Sequence, residues 1–283
     1  MPSNIRINNR VVSTLQVGDV IAQSAYYGSS LVAVPVDFDA INYISAVEAA
    51  DGQPLEEGVK QNIKDFVTGC KLDGIWDAIK VSCILAGART LNGALVPLKG
   101  PAPTNFNFVS GDYNRVTGLK GDGSTKYLDS NRANDADPQN NNHNAVYTTE
   151  ASTDTSAYIG NTRVKQERSE NHIFDNVGDG NTGFRNRSGS FQSVGLPGAV
   201  GFLGHTRNEA SGFMGRQRGL NTFFTISSVV TPTTDNITVF SLGGSDFFTD
   251  AHLSFYSIGE NVDLAALDTR VSTLMTEIEA VLT

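Results

Sequence analysis

The residue types best suited to chemistry are scattered along this chain rather than gathered. Four histidines, His143, His172, His205 and His252, stand far apart, and no pair has the spacing that seats zinc on one helix face. Gly178, Gly180 and Gly183 match G-x-G-x-x-G, but a phosphate cradle needs a strand before it and a helix after it. Phe184 to Ser188 comes directly after these glycines and alternates like a strand, so a hairpin turn is expected there. Gly121 to Ser124 places no glycine two residues after the serine, so the nucleophile elbow is missing. Asp122, Asp129, Asp135 and Asp137, with neighbouring asparagines, are the hard oxygen donors that calcium takes. Asp129 to Asp137 nonetheless lacks the helix-loop-helix ligand order, and solvated loops are the alternative. The expectation is no cofactor and no catalytic residue, with calcium left open at those four positions.

Recognition is the chemistry that remains. Sugar sites use aromatic faces against apolar ring surfaces, and Asn, Asp or Arg against hydroxyl groups. Tyr113, Asn114, Arg115, Tyr127, Tyr158, Arg185 and His205 have the right types and fall near expected loops or strand ends. Each also has an ordinary structural alternative.

The bulk composition limits the classes. The chain has 283 residues, 39% hydrophobic and 18% charged, which describes a globular protein with an unusually uncharged polar surface. The 28 glycines, with abundant Asn, Thr and Ser, suit an all-β chain rich in tight turns. A net charge of −9 without a basic stripe argues against binding nucleic acid through phosphates. Met1 to Arg10 is polar and no run is apolar for membrane length, so neither a signal peptide nor a membrane partner is expected. Cys70 and Cys83 are expected as free buried thiols.

Several elements must position these side chains. Residues 1–37 alternate as two or three short strands or an extended arm, read as an N-terminal attachment arm. Residues 38–95 form a helical connector: one helix over about 54–68, with Gly69 near its end, and a second over Asp73 to Leu85. Trp76 is expected as a packing anchor. Beyond the proline-rich boundary Leu91 to Pro103, residues 96–262 carry short strands at Ala145–Thr148, Ala157–Ile159, His172–Phe174, Val200–Leu203, Phe213–Met214, Thr222–Ile226, Ile237–Leu242 and Leu253–Ile258. That spacing predicts an antiparallel sandwich. Asn131 to Asn144, polar and of low complexity, is expected as a solvated loop. Residues 263–283 form an amphipathic helix capped by Asn261 or Asp263. Leu264, Leu267, Val271, Leu274, Ile278 and Val281 follow a heptad seam, which either packs on the sandwich or joins subunits.

Three stretches carry a family resemblance. Ala102 to Leu128 (after the alanine, PTNFNFVSGDYNRVTGLKGDGSTKYL) and Ala251 to Asp263 (AHLSFYSIGENVD) resemble the concanavalin A-like, laminin-G-like sandwich domains of tailed-phage structural proteins. Tyr43 to Ala88 resembles a segment that precedes this domain in phage and prophage proteins. The resemblance implies a jelly-roll sandwich on the virion surface, made in the host cytoplasm. It further implies a tail fibre or receptor-binding component that meets host glycans, with other virion proteins held through the arm and a homo-oligomer, trimer favoured. A capsid decoration protein stays open, because a long β-helical shaft is missing from the sequence; a glycan hydrolase is the third reading. Glucanases of this fold carry Glu-x-Asp-x-x-Glu on their active strand, and no such string occurs here. A non-enzymatic protein is therefore expected.

Overall fold

The computed structural model describes residues 5–7, 10–17, 20–27, 30–161, 171–176, 181–194 and 200–283. Where alternation suggests two or three strands or an arm, four strands pair in sequence: β1 (Ile5–Ile7), β2 (Arg10–Val17), β3 (Val20–Tyr27) and β4 (Ser30–Val36). They form an antiparallel meander of their own.

Two helices come next, α1 (Phe38–Asp51) and α2 (Glu57–Leu72). Asp37 caps α1, its carboxylate accepting from the N–H of Asp39 at 3.0 Å and of Ala40 at 3.4 Å. Gly69 does not end α2. It lies inside the helix, where a Cβ would meet the Arg270 guanidinium at 2.6 Å, so its smallness serves helix packing. The second expected helix is not formed. Trp76–Ala78 make one 3₁₀ turn, and Ile79–Ile84 form a strand, β5. Ile79 and Ile84 bury on one side while Val81 and Cys83 bury on the other. A strand covered on both faces reads as a near-continuous apolar run, and chance matches at helical spacing then mislead. Trp76 is buried in the helix-side core, and both cysteines are free and buried.

After α3 (Leu91–Ala94) come β6 (Thr104–Phe106), β7 (Tyr113–Asn114), β8 (Gly118–Lys120), β9 (Tyr127–Ala133), β10 (Asn142–Glu150), β11 (Ser156–Gly160), β12 (Asn171–Asn176), β13 (Asn181–Asn186) and β14 (Gln192–Val194). The chain continues through β15 (Gly201–Arg207), β16 (Gly212–Gln217), β17 (Leu220–Thr225), β18 (Asn236–Val239) and β19 (His252–Gly259) to α4 (Leu264–Leu282). All eight strands expected between Ala145 and Ile258 are present. One eight-stranded sheet runs β17-β16-β15-β10-β19-β8-β7, with β5 also paired to β19. A seven-stranded sheet runs β14-β13-β12-β11-β18-β9-β6. Every pairing in both is antiparallel, which makes the protein mainly β and its body a two-sheet sandwich.

Burial divides into two cores. Leu119, Leu128, Val146, Ile173, Phe184 and Leu203 fill the space between the sheets. The other face of the eight-stranded sheet, through Ala145, Phe202 and Phe255, packs under α1, α2 and α4. Asp263, of the two candidate caps, accepts from the N–H of Ala265 and Ala266 to start α4. Leu264, Leu267, Val271, Leu274 and Ile278 bury within this chain's own core, and Val281 lies against Gly58. No helix of the described residues is long and apolar enough to cross a membrane.

Candidate functional site

The sequence-nominated residues separate into three environments. Tyr113 and Arg115 converge: the Tyr113 hydroxyl donates to the Ala88 carbonyl at 2.7 Å, and Arg115 Nε donates to the same oxygen at 3.0 Å. Arg115 also forks onto Glu56 at 3.1 and 2.6 Å, and that guanidinium draws the Glu56 carboxyl down to about 2. The three groups tie the start of α2 to the sandwich. Asn114 is exposed and folds its carboxamide back to the N–H of Val116 at 2.8 Å. Tyr158 is fully buried, its hydroxyl donating to Asp175 at 2.9 Å. His205 is also fully buried between the sheets, 2.9 Å from the carboxamide nitrogen of Asn186 across the sandwich. Burial pushes its pKa well below the ordinary value.

The four nominated aspartates do not converge, and among the described residues no group of three His, Cys, Asp or Glu side chains could hold a metal. Asp122 accepts from Ser124, Thr125 and Lys126. Burial works against its charge, but hydrogen bonds from Thr125 and the neighbouring N–H groups outweigh it and hold the carboxyl low. Asp129 accepts from the Asn131 N–H at 2.8 Å, and Asp135 is exposed. Asp137 is buried in a two-pronged pair with Arg132.

That pair corrects the expectation of a solvated loop at Asn131 to Asn144. Asn134, Asp137, Asn142, His143 and Asn144 are buried, and the last three open β10. A distant cation reaches in and serves backbone carbonyls of this buried segment. Arg187, almost fully buried, donates to the carbonyls of Asp137 at 2.9 Å and Pro138 at 2.8 Å, and also to that of Asn134. Arg207, fully buried, donates to the carbonyls of Asn186 and Arg187. The Arg187 cage joins groups about 50 residues apart in sequence, beyond any local pattern.

The feature that sequence reasoning missed lies on the outer face of the seven-stranded sheet. Leu128, Val239, Ile159 and Ile173 share one ladder row and point inward. By alternation, Tyr127 on β9, Phe174 on β12 and Gly183 on β13 lie on the opposite face of the sheet from that row. Phe106 pairs with Tyr127 and stacks on it, with ring centroids 4.3 Å apart and planes at 5°. At the other end the Phe191 ring lies over Gly183, where a Cβ would sit 1.5 Å from it. Phe191 is also 6.1 Å from the Phe174 ring. Between the two ends, Phe248 approaches Tyr127 at 6.2 Å and Phe247 approaches Phe174 at 5.0 Å. Phe247 holds φ at 51°, a conformation a bulky side chain adopts only under constraint from its surroundings. Phe106 and Phe191 are 36% and 39% exposed. Of the nominated residues, Tyr127 and Arg185 belong to this face. The sequence does carry a signal: in Tyr127-Leu128 and Ile173-Phe174 an aromatic takes the phase opposite the buried one.

Gly178 and Gly180 lie outside the described residues. Gly183 is in strand β13, paired on both sides, and not before a helix.

The fold and this face define a helix-backed antiparallel β-sandwich with an aromatic strip on the sheet opposite the helices. No family model matches the sequence, and no curated protein matches it. Among solved structures, the binding domain of botulinum neurotoxin serotype D is similar at 11% identity, covering 70% of this chain and 51% of that one, with a TM-score of 0.47. Trypanosoma rangeli sialidase in complex with the inhibitor DANA is similar at 10% identity, over 96% of this chain and 45% of that one, with a TM-score of 0.45. The Ruminococcus gnavus IT-sialidase CBM40 bound to α2,3-sialyllactose is similar at 13% identity, over 45% and 81%, with a TM-score of 0.35. This chain spans about half the length of the first two.

Proposed function

We propose that this chain is a non-enzymatic binding protein whose sheet opposite the helices recognises surface glycans through its partly exposed rings. The observation that carries the reading is the set of rings on one sheet face, Tyr127 and Phe174, extended by Phe106 and Phe191 and joined by Phe247 and Phe248. An outward sheet face exposed to water ordinarily takes polar side chains. Partly exposed rings on one face instead offer flat apolar surfaces of the kind that cover the C–H side of a sugar ring. Three strand spacings separate Tyr127 from Phe174, about 14 Å, so a ligand touching both ends must be an extended oligomer.

Within the resemblance of residues 102–128 and 251–263 to tailed-phage proteins, the binding role becomes that of a tail fibre or receptor-binding component on the virion surface. The meander at residues 5–36 would then attach it to other virion proteins, in a homo-oligomer with a trimer favoured. Two measurements test the proposal. The purified chain should co-sediment with host cells or their wall polysaccharide, releasing no reducing ends. Gold label against it should land on the tails of intact particles. Failure to co-sediment, with label spread over the heads at capsid stoichiometry, would instead establish a decoration protein.

A further inference from the structure

We infer that the ligand of the aromatic strip is an uncharged glycan built of neutral hexose units, and not a sialylated or uronate-bearing one; this rests on the glycan-binding reading above. A sugar carboxylate leaving water needs a cation or several donors to replace its hydration. The described cations near the strip are already engaged. Arg185 shares the outward face with His172, but it is only 6% exposed. Its Nε donates to the Ser188 carbonyl at 2.8 Å and its Nη2 to the Gly189 carbonyl at 3.0 Å. Lys126, beside Tyr127, is held by Asp112 at 2.6 Å.

Carboxylates sit close to the same strip. Asp129 lies two residues beyond Tyr127 on β9 and so shares its face, while Asp246 is exposed next to Phe247. The chain as a whole carries a net charge of −9, which disfavours an anionic ligand at long range. The polar groups that flank the rings are instead uncharged. Thr104 and Asn131 are exposed beside Phe106 and Tyr127, and Ser193, also exposed, pairs with Gly183 at the Phe191 end. Hydroxyls and carboxamides both donate and accept, which suits sugar hydroxyls and gives no preference for charge.

Affinity electrophoresis of the intact chain tests this directly. One set of gels contains a neutral glucan, mannan or galactan, and the other polysialic acid or polygalacturonate, each run at low and high salt. The expected result is retardation by at least one neutral polymer, insensitive to salt and weakened about tenfold in Phe191→Ala. Retardation by an acidic polymer as strong as by any neutral one would overturn the inference and leave the glycan-binding reading standing. Retardation by none of the polymers, with no co-sedimentation on host cell wall, would overturn both.

Discussion

Tyr127 and Phe174 lie on the same outer face of the seven-stranded sheet, three strands apart, while the helices pack on the other sheet. Among the described residues the helices back one sheet, and the sheet opposite them carries the rings. Replacing an end ring should remove contact area for a ligand without opening the core. Phe106→Ala and Phe191→Ala should each weaken polysaccharide binding about tenfold while changing unfolding free energy by about 1 kcal/mol or less. Titration calorimetry beside urea unfolding reads both quantities.

Gly183 offers a test that touches no ring. The Phe191 ring occupies the place of a Cβ at this position. Gly183→Ala should therefore push that ring off the strip and reduce binding as much as Phe191→Ala does. Once Phe191 is already alanine, Gly183→Ala should have no further effect on binding, so the double-mutant cycle should show strong non-additivity. Independent, additive losses would contradict the placement of the ring.

Arg187 should matter to stability and not to binding. Its guanidinium serves the carbonyls of Asn134, Asp137 and Pro138 in a buried setting. Removing it leaves those acceptors without their donor, at a cost of about 3 kcal/mol or more. Arg187→Lys should not restore the loss, because one ammonium on a flexible stem cannot reproduce the fork. Urea denaturation of the alanine and lysine variants checks this.

His143 sets a pH dependence. Its Nδ1 donates to the Glu260 carbonyl, and its Nε2, 2.8 Å from the Ser257 hydroxyl, accepts from it, so the buried ring is neutral. Burial pushes its pKa from 6.5 to about 4. Below 6.5 the unfolded chain takes up a proton that the native ring refuses. Stability contributed by this group is therefore complete above 6.5, falls as pH drops toward about 4, and loses about 3 kcal/mol in all. His205, also lowered by burial, adds to the loss in acid. Glu56, held at about 2, costs stability only below its ordinary value of 4.5. Unfolding free energies between about pH 7 and 4.5 should fall steadily, with a shallower slope in His143→Gln.

Much of the architecture was legible because local pattern and tertiary environment agree. Leu253 to Ile258 reads as a strand and is one, and the seam from Leu264 to Ile278 reads as a helix face and buries as one. The misreadings share a cause. Ile79 to Ile84 looks helical because both faces of β5 are covered, which removes the alternation that betrays a half-exposed strand. Asn131 to Asn144 looks solvated because its partners, Arg187 above all, arrive from another part of the chain. The strip was missed for a similar reason: Phe106, Tyr127, Phe174 and Phe191 come from four segments, and only strand register aligns them.

The central claim, that the aromatic strip on the sheet opposite the helices is the recognition surface, is tested most directly by hydrogen-exchange footprinting of the intact chain with and without a neutral polysaccharide that it binds. Protection should appear at 104–106, 127–131, 191–194 and 244–248, and leave α1, α2 and α4 unchanged. Protection confined to the helical layer, or spread evenly over the surface, would contradict the account.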